Sequence, residues 1–565
     1  MSMREPATAA VGSGGRAASA AVAAAVFLVG AIGYLARATD LFQAVPGDLG
    51  DARFNAVVME HGHLWLTGRV ASLWDIGFFH PYPHVLGLSD THLGTVAVYS
   101  AFRTLGLSRE VSLDLWYVAG FGLDFLAAFH VLRRFAFSPA AAAIGAFVFT
   151  FGLPGLAQEN DLQLTWRFAV PLAFLALVRA YEERRPALLL VVLAWTVVEF
   201  FCAIYLGIFL VYLLLATVAA FALIDRAGLV EGVREGARAA RDGRWGLGVA
   251  ASVALLVPLL WLLAHHAWAS MFYGVRRPAW EITSMLPRPG SHFFAGDYRW
   301  SETLAGLLRG IAAEHEHRLF LGFGVLALAA VGLALLGGRG EERTRRVGRI
   351  AAVALALLVA FTLSIADHSL YQLVLRLPGI NAIRSVTRII VILQWPVAIL
   401  VAFAVDRAVA RVGGAGSARG AAAGLIALVA VAFEPATHVV LNTPIAVWRD
   451  RIEALRGRLG APIEPGTVLW VRSVTGIRDG ELEYALDAMI LAQDLGVKTV
   501  NGYSGWLPIG LTDQFRCGSP DMPAERWAKF AGISIERARE RLAGVRIVDV
   551  VPCATAEGVS GTRNP

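Results

Sequence analysis

Charge is scarce in this chain, and cysteine scarcer. Charged residues make up 17% of 565 positions, against about 25% in an ordinary soluble protein. The three cysteines are Cys202, Cys517 and Cys553, with no CxxC pair and no His/Cys cluster. That excludes a zinc-knuckle module and a disulfide scaffold. Cys202 lies in an apolar run and reads as packing, whereas Cys517 and Cys553 have room for one disulfide in an oxidising compartment. Lysine is almost missing too, at Lys498 and Lys529 alone. The net charge of +6 is therefore arginine, gathered in short clusters at the ends of apolar runs. This is the pattern of cytoplasmic loops and excludes a nucleic-acid partner.

What is plentiful is hydrocarbon. Hydrophobic residues reach 56% and mean hydropathy is +0.58. Runs long enough to span a bilayer, about 20 residues, recur through the first 440 positions, for example 18–35, 247–263 and 350–365. The first follows Arg4 and Arg16 and exceeds a signal-peptide core of about 7–15 residues, so it reads as a retained anchor. The fold class is a polytopic α-helical membrane protein with the lipid bilayer as its first partner.

Arginine position and hydropathy together set an orientation. With the N-terminus cytoplasmic, the clusters at 133–134, 179–185, 225–244, 337–349 and 406–420 all fall inside. The cost is that 93–107 must lie along the external interface rather than cross. The result is about eleven transmembrane helices within 1–440, with external loops at 38–110 and 265–318 and a tight external turn near 205–207. The segment 441–565 balances fifteen basic against fifteen acidic residues and alternates strand-like runs (TVLWVRSV, VKTVNG, RIVDVV) with helical ones. It reads as a small extracytoplasmic α/β domain.

The first external loop opens PGDLGDARFNAVVMEHGHLW, residues 46–65. If this stretch is helical, Asp51 and Asn55 share a face, and Asp48 sits near the positive end of the helix dipole. Arg53, Asn55, Glu60, His61 and His63 follow. Carboxylate, imidazole and guanidinium concentrate where a membrane-borne substrate would present its polar head, although a solvated, capped helix would carry the same residues. GLAQENDLQLTWR supplies Glu159, Asp161 and Arg167 to another external turn. Arg384 and Arg388, four apart, would present two guanidiniums on one helical face for phosphate oxygens; lipid headgroups are the alternative ligand. Tyr273, and Tyr503 with Trp506 in NGYSGWLPIG, are candidates for stacking an acceptor. No residue is assigned as a metal ligand: His315 and His317 do not converge on a helix.

An anchor helix running straight into an external loop with an acidic start resembles the GT-C glycosyltransferase superfamily, carried here by Asp-Ala-Arg-Phe at 51–54. FFHPYPHVLGLSDTHLG (78–94) and LPGINAIRSVTR (377–388) are similar to bacterial GT-C-like membrane proteins related to the YfhO group. The resemblance implies a GT-C-like fold in the bacterial inner membrane. It also implies a sugar donor linked to polyprenyl phosphate, a glycan, lipid or protein acceptor, and an inverting transfer. Asp51, with Asp48 behind it, would be the general base, Glu159 and Asp161 secondary acids, and Arg384, Arg388 and Arg167 phosphate ligands. Asp48 and Asp51 stand three apart and depart from a strict DxD, which leaves a divalent metal open. Two other functions stay open: a non-catalytic scaffold of envelope glycan assembly, and a lipid-linked-sugar transporter or flippase. Transport is disfavoured by the expectation that ionisable residues gather in external loops rather than at mid-membrane positions.

Overall fold

The structure is a computed structural model that describes residues 13–242, 246–295, 313–338, 341–377, 383–414, 416–472, 478–508, 511 and 519–550. Among them, eight helices have the length and apolar composition to cross a membrane: Gly15–Ala38, Arg109–Arg134, Pro139–Leu156, Leu162–Glu182, Ile204–Ile224, Gly246–Phe272, Val386–Arg411 and Ala418–Thr437. The chain is a multi-pass helical membrane protein. Leu188–Cys202 and Phe323–Leu335 are equally apolar but shorter, and Glu342–Thr362 carries arginine through its first turns. Those three helices separate a count of eight from the expected eleven.

Burial orders the bundle. The Val386–Arg411 span is 94% buried along its most apolar stretch, and Gly246–Phe272 only 11%. The first is the axis of the bundle and the second lies at its periphery. Helices approach one another through glycine: a Cβ on Gly332 would stand 2.2 Å from the carbonyl oxygen of Leu400 on the axis, and one on Gly324 would overlap the Ala430 carbonyl of the neighbouring Ala418–Thr437 span. In lipid, such backbone proximity replaces the hydrophobic effect as the source of packing.

Two sequence expectations shift here, and the reading of 93–107 as non-spanning does not. The turn between Leu188–Cys202 and Ile204–Ile224 falls at Ala203, which is extended, earlier than 205–207. The Asp90 carboxylate accepts the Ile204 amide at 2.9 Å and starts the new helix there. The Gly246–Phe272 helix runs nine residues past 263, so His265 and His266 are helical rather than loop residues. Their polarity is absorbed by contacts: His265 stacks on Trp74 at 4.3 Å, and His266 Nδ1 pairs with the Gly87 carbonyl at 2.9 Å. Within the 93–107 stretch, Val96–Thr104 forms a helix of only nine residues, too short to span.

Two small sheets tie the ends of the bundle together. Strand β1 (Ala44–Pro46) pairs antiparallel with β2 (Asn442–Pro444), joining the exit of the first span to the exit of the last. In the C-terminal segment β3 (Val468–Arg472) lies between β4 (Lys498–Thr499) and β5 (Val545–Asp549), all parallel. The helix Arg478–Leu495 makes the crossover from β3 to β4. Its Leu486, Met489 and Ile490 share one apolar core with Phe54, Val57 and Val58 of the helix Asp51–Leu66, and with Phe78 and Phe79. Packing therefore runs continuously across position 440. Cys517 and Cys553, and with them the disulfide expectation, lie outside the described residues.

Candidate functional site

The β1–β2 pair delivers the chain to Gly47, whose positive φ of 90° turns it into the helix Asp51–Leu66. A Cβ at Gly47 would stand 2.7 Å from the Ala52 side chain, so the turn requires glycine. Asp48 falls on this turn and Asp51 in the helix's first turn, where a carboxylate is favoured by the unpaired amides and dipole. Asp48 is held on both sides. Its Oδ1 accepts the Gly50 amide at 2.9 Å, and Asn160 Nδ2 donates to Oδ2 at 3.1 Å. Burial raises its pKa against the Gly50 hydrogen bond, and the neighbouring Asp51 charge raises it further.

Among the described residues, the Asp51 carboxylate takes one side-chain hydrogen bond. The Tyr503 hydroxyl, 452 positions along the chain, donates to its Oδ1 at 2.5 Å. Burial, then the charges of Asp51, Asp48 and Asp161, push the Tyr503 pKa well above the usual phenol value. The hydroxyl thus lies in the field of three carboxyls and is bonded to one of them, Asp51.

Asp161 lies at the end of the 157–161 turn. Burial lifts its pKa to about 7 against the attraction of Arg388, with Glu316 and Asp51 adding repulsion. Arg388 Nη1 reaches Asp161 Oδ1 at 3.0 Å. Its Nε and Nη2 form a fork on Glu316 at 3.0 and 2.8 Å. Burial works against ionisation of Glu316, but Arg388 and then Arg384 hold its pKa down to about 2.

The expected arginine fork is corrected by this geometry. Arg384 and Arg388 are not on one α-helical face, because residues 383–385 are irregular and Arg388 lies in the 3-10 turn Val386–Ile389 that opens the span before its α-helix starts at Ile390. Arg388 is already bound by two carboxylates. Arg384 is the looser cation, a third exposed and 3.8–3.9 Å from Glu281 and Glu316. Arg167 is buried in the bundle, with its Nη1 on Gln394 at 2.6 Å and its Nε on Asp124 at 3.3 Å. Tyr273 is also buried, its hydroxyl on the Pro83 carbonyl, so it cannot stack an acceptor. Glu159 Oε1 accepts the Leu441 amide at 2.8 Å and fastens the turn to β2. Trp506 lies half-buried beyond Tyr503.

The supporting residues of the first loop divide by partner. Arg53 is buried on Asp487. Asn55 receives His92 Nε2 at 2.7 Å and donates to the Asp51 carbonyl at 2.8 Å, bracing the helix start. His61 Nε2 pairs with the carbonyls of Ser72 and Leu73, and His63 Nδ1 with Ser100. Sequence reasoning missed Asn160, Glu316 and Arg318. Arg318 Nη1 donates to the Ala157 carbonyl at 3.1 Å, and it pairs with no carboxylate among the described residues. No periodic pattern marks these positions, since they sit in a turn, a single 3-10 turn and a loop brought together by the bundle. Among the described residues no three His, Cys, Asp or Glu side chains gather as a metal site.

No protein-family model matches the chain, and no curated sequence does. Solved structures similar to it include the Archaeoglobus fulgidus oligosaccharyltransferase in its apo form, at 15% identity and a TM-score of 0.47. That alignment covers 86% of this chain and 64% of the other. The same archaeal enzyme, AglB, in complex with an inhibitory peptide and a dolichol-phosphate aligns at 15% identity and a TM-score of 0.44, over 86% and 64% of the two chains. Its complex with zinc and sulfate gives 14%, 0.42, 85% and 62%. This chain thus spans under two thirds of the length of these structures.

Glu60 gives the site's helix a measurable pH dependence. Burial would raise its pKa, but hydrogen bonds from Arg103 and Tyr99, with the Arg109 charge, bring it down to about 2. The carboxylate form is therefore favoured by folding. Its stabilisation is full above the unfolded pKa of about 4.3 and is lost as pH falls towards 2. Glu60→Gln is expected to lower stability at pH 7 and to flatten its decline between those two values. A parallel decline in both proteins, followed by thermal unfolding in detergent, would refute the assignment.

Proposed function

We propose that the chain is a membrane glycosyltransferase of the GT-C type, moving a sugar from a polyprenyl-phosphate-linked donor to an extracytoplasmic glycan, lipid or protein acceptor. The observation that carries this reading is Asp51, at the opening of the helix after the first span, taking a hydrogen bond from a hydroxyl at 2.5 Å. That is the contact a general base makes with an attacking hydroxyl. In the proposed reaction the acceptor oxygen attacks the anomeric carbon, the bond from that carbon to the phosphate oxygen breaks, and the proton passes to Asp51. A single displacement of this kind inverts the anomeric centre. The leaving phosphate carries its own charge and needs donors rather than a strong acid. Arg384 and Arg318 are suited to it, because Arg388 is neutralised by Asp161 and Glu316. No step is routed through a metal.

One observation favours transport as the second reading. Contrary to the sequence expectation, Asp114 and Asp124 sit buried in the span Arg109–Arg134 and Glu199 in the shorter apolar helix Leu188–Cys202, where ionisable groups commonly mark a substrate or proton path. Purified protein in lipid nanodiscs, given a series of polyprenyl-phosphate sugars, is expected to release polyprenyl phosphate in the presence of an acceptor. Donor translocation in proteoliposomes without release would replace the enzyme reading with the transporter, and neither event with any donor would leave the scaffold.

A further inference from the structure

The hydroxyl that occupies Asp51 belongs to the protein itself. Tyr503 lies on the 500–508 segment, which follows β4 and has no regular structure. The root of this segment is fastened. Asn501 is fully buried, its side chain holds both the amide and the carbonyl of Val471, and its own carbonyl accepts the Phe79 amide at 3.0 Å. Gly502 follows, so close to the Phe79 ring that a Cβ would overlap it. Beyond that point the grip weakens. Ser504 Oγ meets Ser89 Oγ at 2.8 Å, and Arg277 Nη2 only grazes the Gly505 carbonyl at 3.5 Å. Among the described residues, the segment is rooted by Asn501, carries a glycine at its base, has few polar ties around Ser504 and Gly505, and returns to the apolar core at Leu507. This strap carries the tyrosine onto the carboxylate.

Tyr503 also fills space. Its ring meets Phe54 edge-to-face at 5.4 Å between centroids, beside the base. A carboxylate oxygen that already accepts a short hydrogen bond from a phenol cannot take the proton of a second hydroxyl in the same direction. Burial and the field of three carboxyls also hold the phenol in its protonated, donating form.

We propose that Tyr503 is a resting-state plug standing where the acceptor hydroxyl binds, and that the 500–508 strap must withdraw from Asp51 before transfer. This rests on Asp51 being the base. The shape of the plug also sets the acceptor class: a phenol-like hydroxyl at the edge of a flat aromatic ring, which replaces the Tyr503 ring against Phe54. Water has no ring to displace it, so the closed strap protects the donor from hydrolysis.

The Ser89–Ser504 contact supplies a lock. In full-length protein with Cys202, Cys517 and Cys553 replaced by serine, Ser89→Cys with Ser504→Cys can be oxidised to a disulfide across the strap's tip. Hydroxyl-radical footprinting read by peptide mass spectrometry reports whether the Tyr503 ring reaches solvent, without any substrate. Oxidation of Tyr503 is expected to fall several-fold on locking, because the disulfide removes the open population, and to recover on reduction. Equal protection in both forms means the strap does not open and overturns the plug. In the transfer assay the locked protein is expected to lose turnover and regain it with reductant. Turnover unchanged by the lock overturns the plug and leaves Asp51's role intact. Turnover absent in both forms counts against the enzyme reading alone, and the footprint still decides the strap.

Discussion

Asp51→Asn is expected to reduce donor turnover by roughly 10²–10⁴-fold while leaving the protein folded. The amide is isosteric, and its oxygen can still accept the Tyr503 hydroxyl that Asp51 Oδ1 accepts now. Loss of the negative charge from the first turn of the helix costs about 0.3–1 kcal/mol at most. What disappears is the capacity to take a proton. Asp48→Asn is the informative companion. Its carboxyl is held by the Gly50 amide and the Asn160 side chain, both donors, so its main work is to shape the turn that presents Asp51. The expected result is a smaller loss of turnover and a measurable loss of stability. Thermal unfolding alongside donor release, with all three proteins in one lipid preparation, separates the two roles. Equal turnover in Asp51→Asn and wild type removes Asp51 as the base.

The legible part of this site was the part carried by neighbouring residues. The apolar runs announced membrane-length helices, and two aspartates at the first helix exit announced a polar centre at that end of the bundle. The partners were not legible, because they come from far along the chain. Glu316 lies 72 residues before Arg388, and Tyr503 lies 452 after Asp51. Spacing rules describe one helix face at a time. They assigned Arg384 and Arg388 to a shared face, and an irregular segment at 383–385 removed it. The paired histidines at 265 and 266 failed differently. Polarity suggested a loop, yet a stacked tryptophan and a backbone carbonyl satisfied both rings on a continuing helix. Arg167 shows the same blindness inside the bundle, where Asp124 and Gln394 had already claimed it.

Asp487→Ala should be the most damaging single change in the C-terminal segment, at about 3–5 kcal/mol. Arg53, two residues after the proposed base, is fully buried, and Asp487 is 2% exposed. The Arg53 Nη2 to Asp487 Oδ1 distance is 2.5 Å, and the same carboxylate receives Arg451 through Nε and Nη2. Among the described residues Arg53 Nε and Nη1 have no hydrogen-bond partner, so Asp487 is its one direct ion pair, with Glu483 adding a weaker attraction and the Trp448 ring standing at 5.6 Å. Burial lowers the Arg53 pKa, with Asp487 opposing, and truncating the acid leaves a desolvated cation at the centre of the contact. Arg451→Ala is expected to cost far less, because its side chain is a quarter exposed and water can replace it. Removing both buried charges in Asp487→Ala with Arg53→Met should restore much of the stability, since the penalty comes from the unpaired charge rather than from the lost pair. Limited proteolysis between the last span and the C-terminus reads the effect directly. The contact broken here joins the helix of Asp51 to the segment that carries Tyr503, so released fragments and a solvent-exposed Tyr503 should appear together. If Tyr503 stays protected after Asp487→Ala while proteolysis proceeds, the strap is held by its own Asn501 root and not by the buried ion pair.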